Sequence, residues 1–125
     1  MVKFSVPLEV WISANKKFIL NLNNYRNTHY QTLNKAKQEY AKLISPLIPN
    51  FKADKVRVEY VLWTKTKRKT DIGNVLSIVQ KFVEDVIVDG GHLPDDNYTV
   101  IPDVRYRFGG IDPKDPRVEI TIQNV

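Results

Sequence analysis

The chain contains no cysteine, which excludes disulfides and thiolate-ligated metals. It has two histidines, too few and too isolated for a zinc site. No apolar run exceeds a few residues, so no membrane span is expected. The opening MVKFSVPLEVW carries neither a signal-peptide core nor a small-residue cleavage site, which fits a cytoplasmic protein. Repeats and low-complexity linkers are missing too. With 125 residues, 42% of them hydrophobic, the chain predicts one domain, 1–125, with one ordinary core.

Acidic residues are scarce over most of the chain and concentrated in one part of it. Residues 1–69 hold 14 Lys and Arg against 4 Asp and Glu. Residues 70–103 reverse this, with seven acids (Asp71, Glu84, Asp85, Asp89, Asp95, Asp96, Asp103) and one cation, Lys81. A basic surface favours nucleic acid without regard to sequence. Carboxylates repel phosphate, so an acidic island in such a chain points to a held divalent cation. The plain alternative is that the acids lie scattered on solvated faces.

Hydrophobic spacing gives the order β-α-β-α-β-β, an α/β (α+β) domain with two helices packed on a mixed sheet. Lys3–Ile12 alternates as a strand, with Pro7 marking a bend or an edge. Ile19–Asn27 is rich in Asn (21, 23, 24, 27) and is expected to be a loop, either for turns or for a sugar-phosphate backbone. A helix is predicted from Thr28 to Leu47, with Thr28 and Gln31 at capping-box spacing and Lys35, Lys37 and Lys42 on its other face, which reads as a solvated face or, alternatively, a DNA-facing stripe. Lys55–Trp63 alternates cleanly as a strand and leads into Lys65, Lys67, Arg68 and Lys69. From Ile72 to Ile87 apolar residues recur at helical spacing, capped by Thr70 or Asp71 and ended by Gly90-Gly91. Glu84 and Asp85 on this helix are expected to be solvated. Tyr98–Phe108 and Arg117–Gln123 read as strands, expected to pair as an antiparallel hairpin.

Taken singly, Asp71 is a plain N-cap and Asp95-Asp96-Asn97 an Asx turn after Pro94. Taken together, beside the basic loop, they suggest a metal-dependent phosphodiester site. A helix of about 17 residues spans roughly 25 Å, so Asp71 and Asp96 converge only if the loop returns along the sheet or a second subunit intervenes.

The segments KTKRKTDIGN (65–74), QKFVED (80–85), LPDDN (93–97) and LNNYRN (22–27) resemble, in this order, the RusA family of Holliday junction resolvases. The resemblance implies a Mg²⁺-dependent homodimer, with Mn²⁺ as a possible substitute, that nicks four-way DNA symmetrically. It implies metal ligation by Asp71, Asp95 and Asp96, and catalysis by Asp71, Lys81 and Asp96. DNA contacts fall to Lys65, Lys67, Arg68, Lys69, Asn23, Asn24 and Arg26. The family start D-x-D-N reads Asp71-Ile72-Gly73-Asn74 here, so one carboxylate is missing, with Asp95 or Asp89 as stand-ins. The family lysine falls at Ser77 without a gap, or at Lys81 after one extra helical turn, which also restores the spacing to Asp95 and Asp96. Two other readings stay open: a branched-DNA-binding protein that no longer cuts, and a basic protein- or RNA-associated module.

Overall fold

The strand Val56–Thr64 lies inside the sheet, and its sequence shows why. Val56, Val58, Tyr60 and Leu62 are buried on one face, while Arg57 and Glu59 alternate onto the other. The computed structural model describes residues 1–125. In chain order the strands are β1 (Val2–Val6), β2 (Glu9–Ser13), β3 (Lys16–Ile19), β4 (Val56–Thr64), β5 (Asp103–Ile111) and β6 (Arg117–Asn124). The helices are α1 (Leu22–Asn27), α2 (Tyr30–Ile44) and α3 (Ile72–Asp89), with a 3₁₀ turn at Ser45–Leu47. A four-stranded mixed sheet runs β1-β6-β4-β5, and β2-β3 form a separate hairpin. The α+β class and the main order of elements follow the expectation. No helix is long and apolar enough to cross a membrane.

The last two strands do not form the expected hairpin. β4 stands between them, parallel to β5 (Tyr60↔Tyr106) and antiparallel to β6 (Tyr60↔Ile120). Parallel neighbours need a long crossover, and α3 supplies it between β4 and β5. The chain then crosses the end of β4, where the Asp112 N–H donates to Thr64 O at 2.7 Å. Arg117 fixes this crossing by pairing with Asp112 at 2.9 Å and Glu119 at 3.4 Å.

The first expected strand is two strands. Pro7 has no N–H to continue the ladder, and its carbonyl accepts instead from the buried Tyr40 hydroxyl at 2.8 Å. The Asn-rich stretch is helix α1 rather than a loop. Asn21 caps it by accepting from Asn24 N at 2.7 Å, and Asn27 Nδ2 donates to Asn23 O at 2.9 Å. α2 starts two residues later than expected, with His29 rather than Thr28 accepting from Gln31 N at 3.2 Å. β5 begins only after Pro102, so Tyr98–Pro102 lies outside the strand.

α3 buries Leu76, Val79, Phe82, Val83, Val86 and Ile87, as its periodicity requires, and adds Ile78 and Glu84. Phe82 stacks on Phe18 at 6.0 Å and meets Tyr40 edge-on at 5.7 Å, which ties α3 to the β2-β3 hairpin and α2. The helix ends where Gly91 turns back with φ 78°, a conformation that favours glycine.

The face of the sheet away from α3 carries Arg57–Asp103 at 2.8 Å and Arg107–Glu59 at 3.7 Å. Here the Trp63 ring packs closely against Gly109. A Cβ at Gly109 would lie 2.6 Å from Trp63 Cε2 and 2.8 Å from Val61 Cγ1. Gly109→Ala must displace the indole and its 2.6 Å bond to Glu119. The expected cost is about 1–3 kcal/mol, read from the urea unfolding midpoint.

Candidate functional site

One face of α3 presents Asp71, Asn74, Ser77, Lys81 and Asp85, spaced at three and four residues. The short helix α1 lies across this face and divides it into two grooves.

The first groove surrounds the start of α3. Asn23 and Arg26 of α1 face Arg68, Lys69, Asp71 and Asn74 across a volume of about 650 Å³. Asp71 is the N-cap, and its Oδ1 accepts from Gly73 N at 3.0 Å. A side chain at Gly73 would begin 3.4 Å from that same oxygen, an ordinary contact. The absent carboxylate of the D-x-D-N pattern would therefore stand directly beside Asp71. Three cations within the expected DNA-contacting set, Arg26, Arg68 and Lys69, share this groove with Asp71.

The second groove, about 540 Å³, is lined by Tyr25, Lys37, Ser77, Gln80, Lys81, Glu84, Asp85, Asp96 and Tyr106. Lys81 and Asp96 thus meet in it, although 15 residues separate them. Ser77 and Lys81, the two candidates for the family lysine, both line it, one helical turn apart, and the Ser77 hydroxyl is buried without a partner.

Glu84 corrects the expectation of a solvated side chain: it is 5% exposed. The Tyr60 hydroxyl reaches it from β4 at 2.6 Å. Burial raises its pKa to about 7, with the Tyr60 and Gln80 hydrogen bonds pulling down and the Asp96 charge adding to the rise. Gln80 in turn accepts from the Tyr106 hydroxyl. The signal for this network was Tyr60 itself, a phenol on the core side of a strand whose hydroxyl needed a partner. Asp85 remains exposed, and its pKa is also raised, first by partial burial, then against the pull of Lys37.

Lys37 corrects a second expectation. It is half-buried and lies 5.7 Å from the Tyr25 ring, whereas Lys35 and Lys42 are exposed and pair with Glu39. Its position was distinctive in the sequence. It falls within the stripe Leu33, Ala36, Tyr40, Ile44, while Lys35 and Lys42 fall on the opposite side.

The remaining expected residues are dispersed. Asp95 lines neither groove, and its carboxylate accepts from Asp96 N at 2.7 Å and Asn97 Nδ2 at 2.9 Å, while the Asx turn of this loop is made by Asn97, whose Oδ1 accepts from Thr99 N at 2.9 Å. Asn24 is committed to the backbone, donating to Ile19 O at 3.0 Å. Lys67 lies in a neighbouring hollow with Phe108 and Ile111. Lys65 is exposed on the same loop. His92 packs on Phe51, with Nδ1 2.8 Å from the Phe51 carbonyl.

Asp71 and Asp96 lie in different grooves, and no three His, Asp or Glu side chains gather closely enough to hold a metal ion. Neither a scan against protein-family models nor a search of curated proteins matches this chain.

Proposed function

We propose that the protein is a RusA-type endonuclease of four-way DNA junctions that works as a homodimer. The observation that carries this reading is the pair of grooves along one face of α3: in one, Asp71 stands among Arg26, Arg68 and Lys69, and in the other, Asp96 stands with Lys81. Cations supply sequence-independent grip on phosphates, and the carboxylates sit where a gripped backbone would pass. One chain divides its carboxylates between two grooves, and in this reading a second subunit brings further ligands to the Mg²⁺ or Mn²⁺, whose shell water completes. Two-fold symmetry also suits a reaction that makes two matched cuts.

A second reading, branch binding without cleavage, is favoured by one specific observation: Gly73 leaves Asp71 without the neighbouring carboxylate. A labelled synthetic four-way junction in Mg²⁺ or Mn²⁺ separates the two. The nuclease reading expects paired symmetric nicks from wild type. Asp96→Asn should lower cutting by roughly 100-fold or more while junction affinity changes little. Wild type that binds the junction but never nicks it supports the second reading. Equal affinity for junction and linear duplex overturns both.

A further inference from the structure

Tyr25 holds two ammonium groups from different helices. Lys37 of α2 lies 5.7 Å from its ring centroid, and Lys81 of α3 lies 5.9 Å from it. The ring is placed there by α1, whose turn is set by the Asn21 cap. Like charges brought to one ring repel each other, so the arrangement needs something to offset that repulsion. The face of a phenol attracts each cation by about 0.5–1 kcal/mol at exposed sites. Asp85 and Asp96, which line the same groove, add a longer-range attraction.

The ring does something that a carboxylate would not. Lys17, Lys35 and Lys42 are paired with Glu9 or Glu39 at 3.1–3.7 Å. Lys37 and Lys81 make no such pair. Resting on a π-face, each keeps its N–H donors free to meet an incoming acceptor. The two cations also bring the groove closer to neutrality against Glu84, Asp85 and Asp96, so that an anion is not simply repelled.

We propose that Tyr25, Lys37 and Lys81 form a phosphodiester clamp, in which Tyr25 orients two lysines onto the backbone of one DNA strand. It rests on the junction-binding reading and adds Lys37 and Tyr25 to it. Lys37 and Lys81 touch the phosphate. Tyr25 is a positioning residue that acts through them.

The test is equilibrium binding of a labelled four-way junction in EDTA, so that no strand is cut, across a series of salt concentrations. Each lysine that contacts a phosphate contributes about 0.9 to the slope of log affinity against log salt. Lys37→Ala and Lys81→Ala should each make the slope shallower by about that amount and weaken low-salt binding roughly 3- to 10-fold. Lys37→Arg should keep the slope, and Lys35→Ala should match wild type. Tyr25→Phe, which retains the π-face, should behave as wild type, while Tyr25→Leu should lose slope although both lysines remain. A Lys37→Ala slope equal to wild type, with wild type binding well, overturns the clamp and leaves the junction reading standing. Tyr25→Phe losing as much slope as Tyr25→Leu also overturns it. Failure of wild type to bind any junction overturns both.

Discussion

Gly73→Asp is expected to raise divalent-ion-dependent junction cleavage by about 10- to 100-fold at limiting Mg²⁺. Changes in groups that merely support metal ligands already alter affinity or activity by that factor. The backbone leaves room for the substitution. Gly73 has no positive φ, and a Cβ there meets only Asp71 Oδ1, at 3.4 Å. Two effects act on stability in the same direction. Replacing a helical glycine recovers a few tenths to about 1 kcal/mol, and a carboxylate in the first turn of α3 faces the positive end of the helix dipole. Repulsion from Asp71 opposes them in the absence of metal. The variant should therefore fold about as well as wild type and differ mainly in its response to Mg²⁺. The measurement is nicking rate against Mg²⁺ concentration, for Gly73→Asp and for Gly73→Asn as the uncharged control. Equal rates for the two variants would show that charge beside Asp71 is not what cutting lacks.

Glu84→Gln is expected to remove most of the stability loss that wild type shows between mildly acidic and mildly alkaline pH. The folded pKa of Glu84, about 7, lies above its ordinary 4.5. The folded state therefore binds the proton more tightly than the unfolded chain does. This contribution is fully present below about 4.5 and is lost as pH rises through 7. A shift of this size corresponds to something on the order of 3 kcal/mol. Glutamine keeps an oxygen for the Tyr60 hydroxyl but has no charge to bury. Urea unfolding of both proteins at pH 5 and pH 8 isolates the Glu84 contribution as the difference between their two changes. Parallel changes in the two proteins would assign the pH dependence to other groups.

The parts of the fold that local spacing determines were legible in the sequence. α3 is an example: its three-and-four periodicity, its Asp71 cap and its Gly90-Gly91 end all lie within 21 residues. Pairing partners were not legible. β5 and β6 are adjacent in sequence and joined by a turn-like segment, which argues for a hairpin. Nothing local reveals that β4 will come between them. α1 was hidden because Asn residues serve caps and loops alike, and only the order of their hydrogen bonds decides. At the site, residue types and spacing brought Asp71, Lys81 and Asp96 to attention. Their division between two grooves depends on where α1 crosses α3, a tertiary contact with no sequence signature. Glu84 and Lys37 differ from expectation for a common reason: charge by itself suggests solvation, whereas the Tyr60 hydroxyl receives one and the Tyr25 ring the other.

β6 has a consequence for how the protein is made. It lies between β1 and β4, and its partners run from Val2↔Ile122 to Trp63↔Arg117. During synthesis β1 emerges first, and its partner strand is the last of the six to be made. Until then β1 and β4 each expose an unpaired edge, and the helices have only half a sheet to pack against. The strand pairing that completes the sheet spans nearly the whole chain, and such long-range closure slows folding. Until β6 pairs, the edges of β1 and β4 stay open, and the aggregation risk falls in that interval rather than in the finished fold.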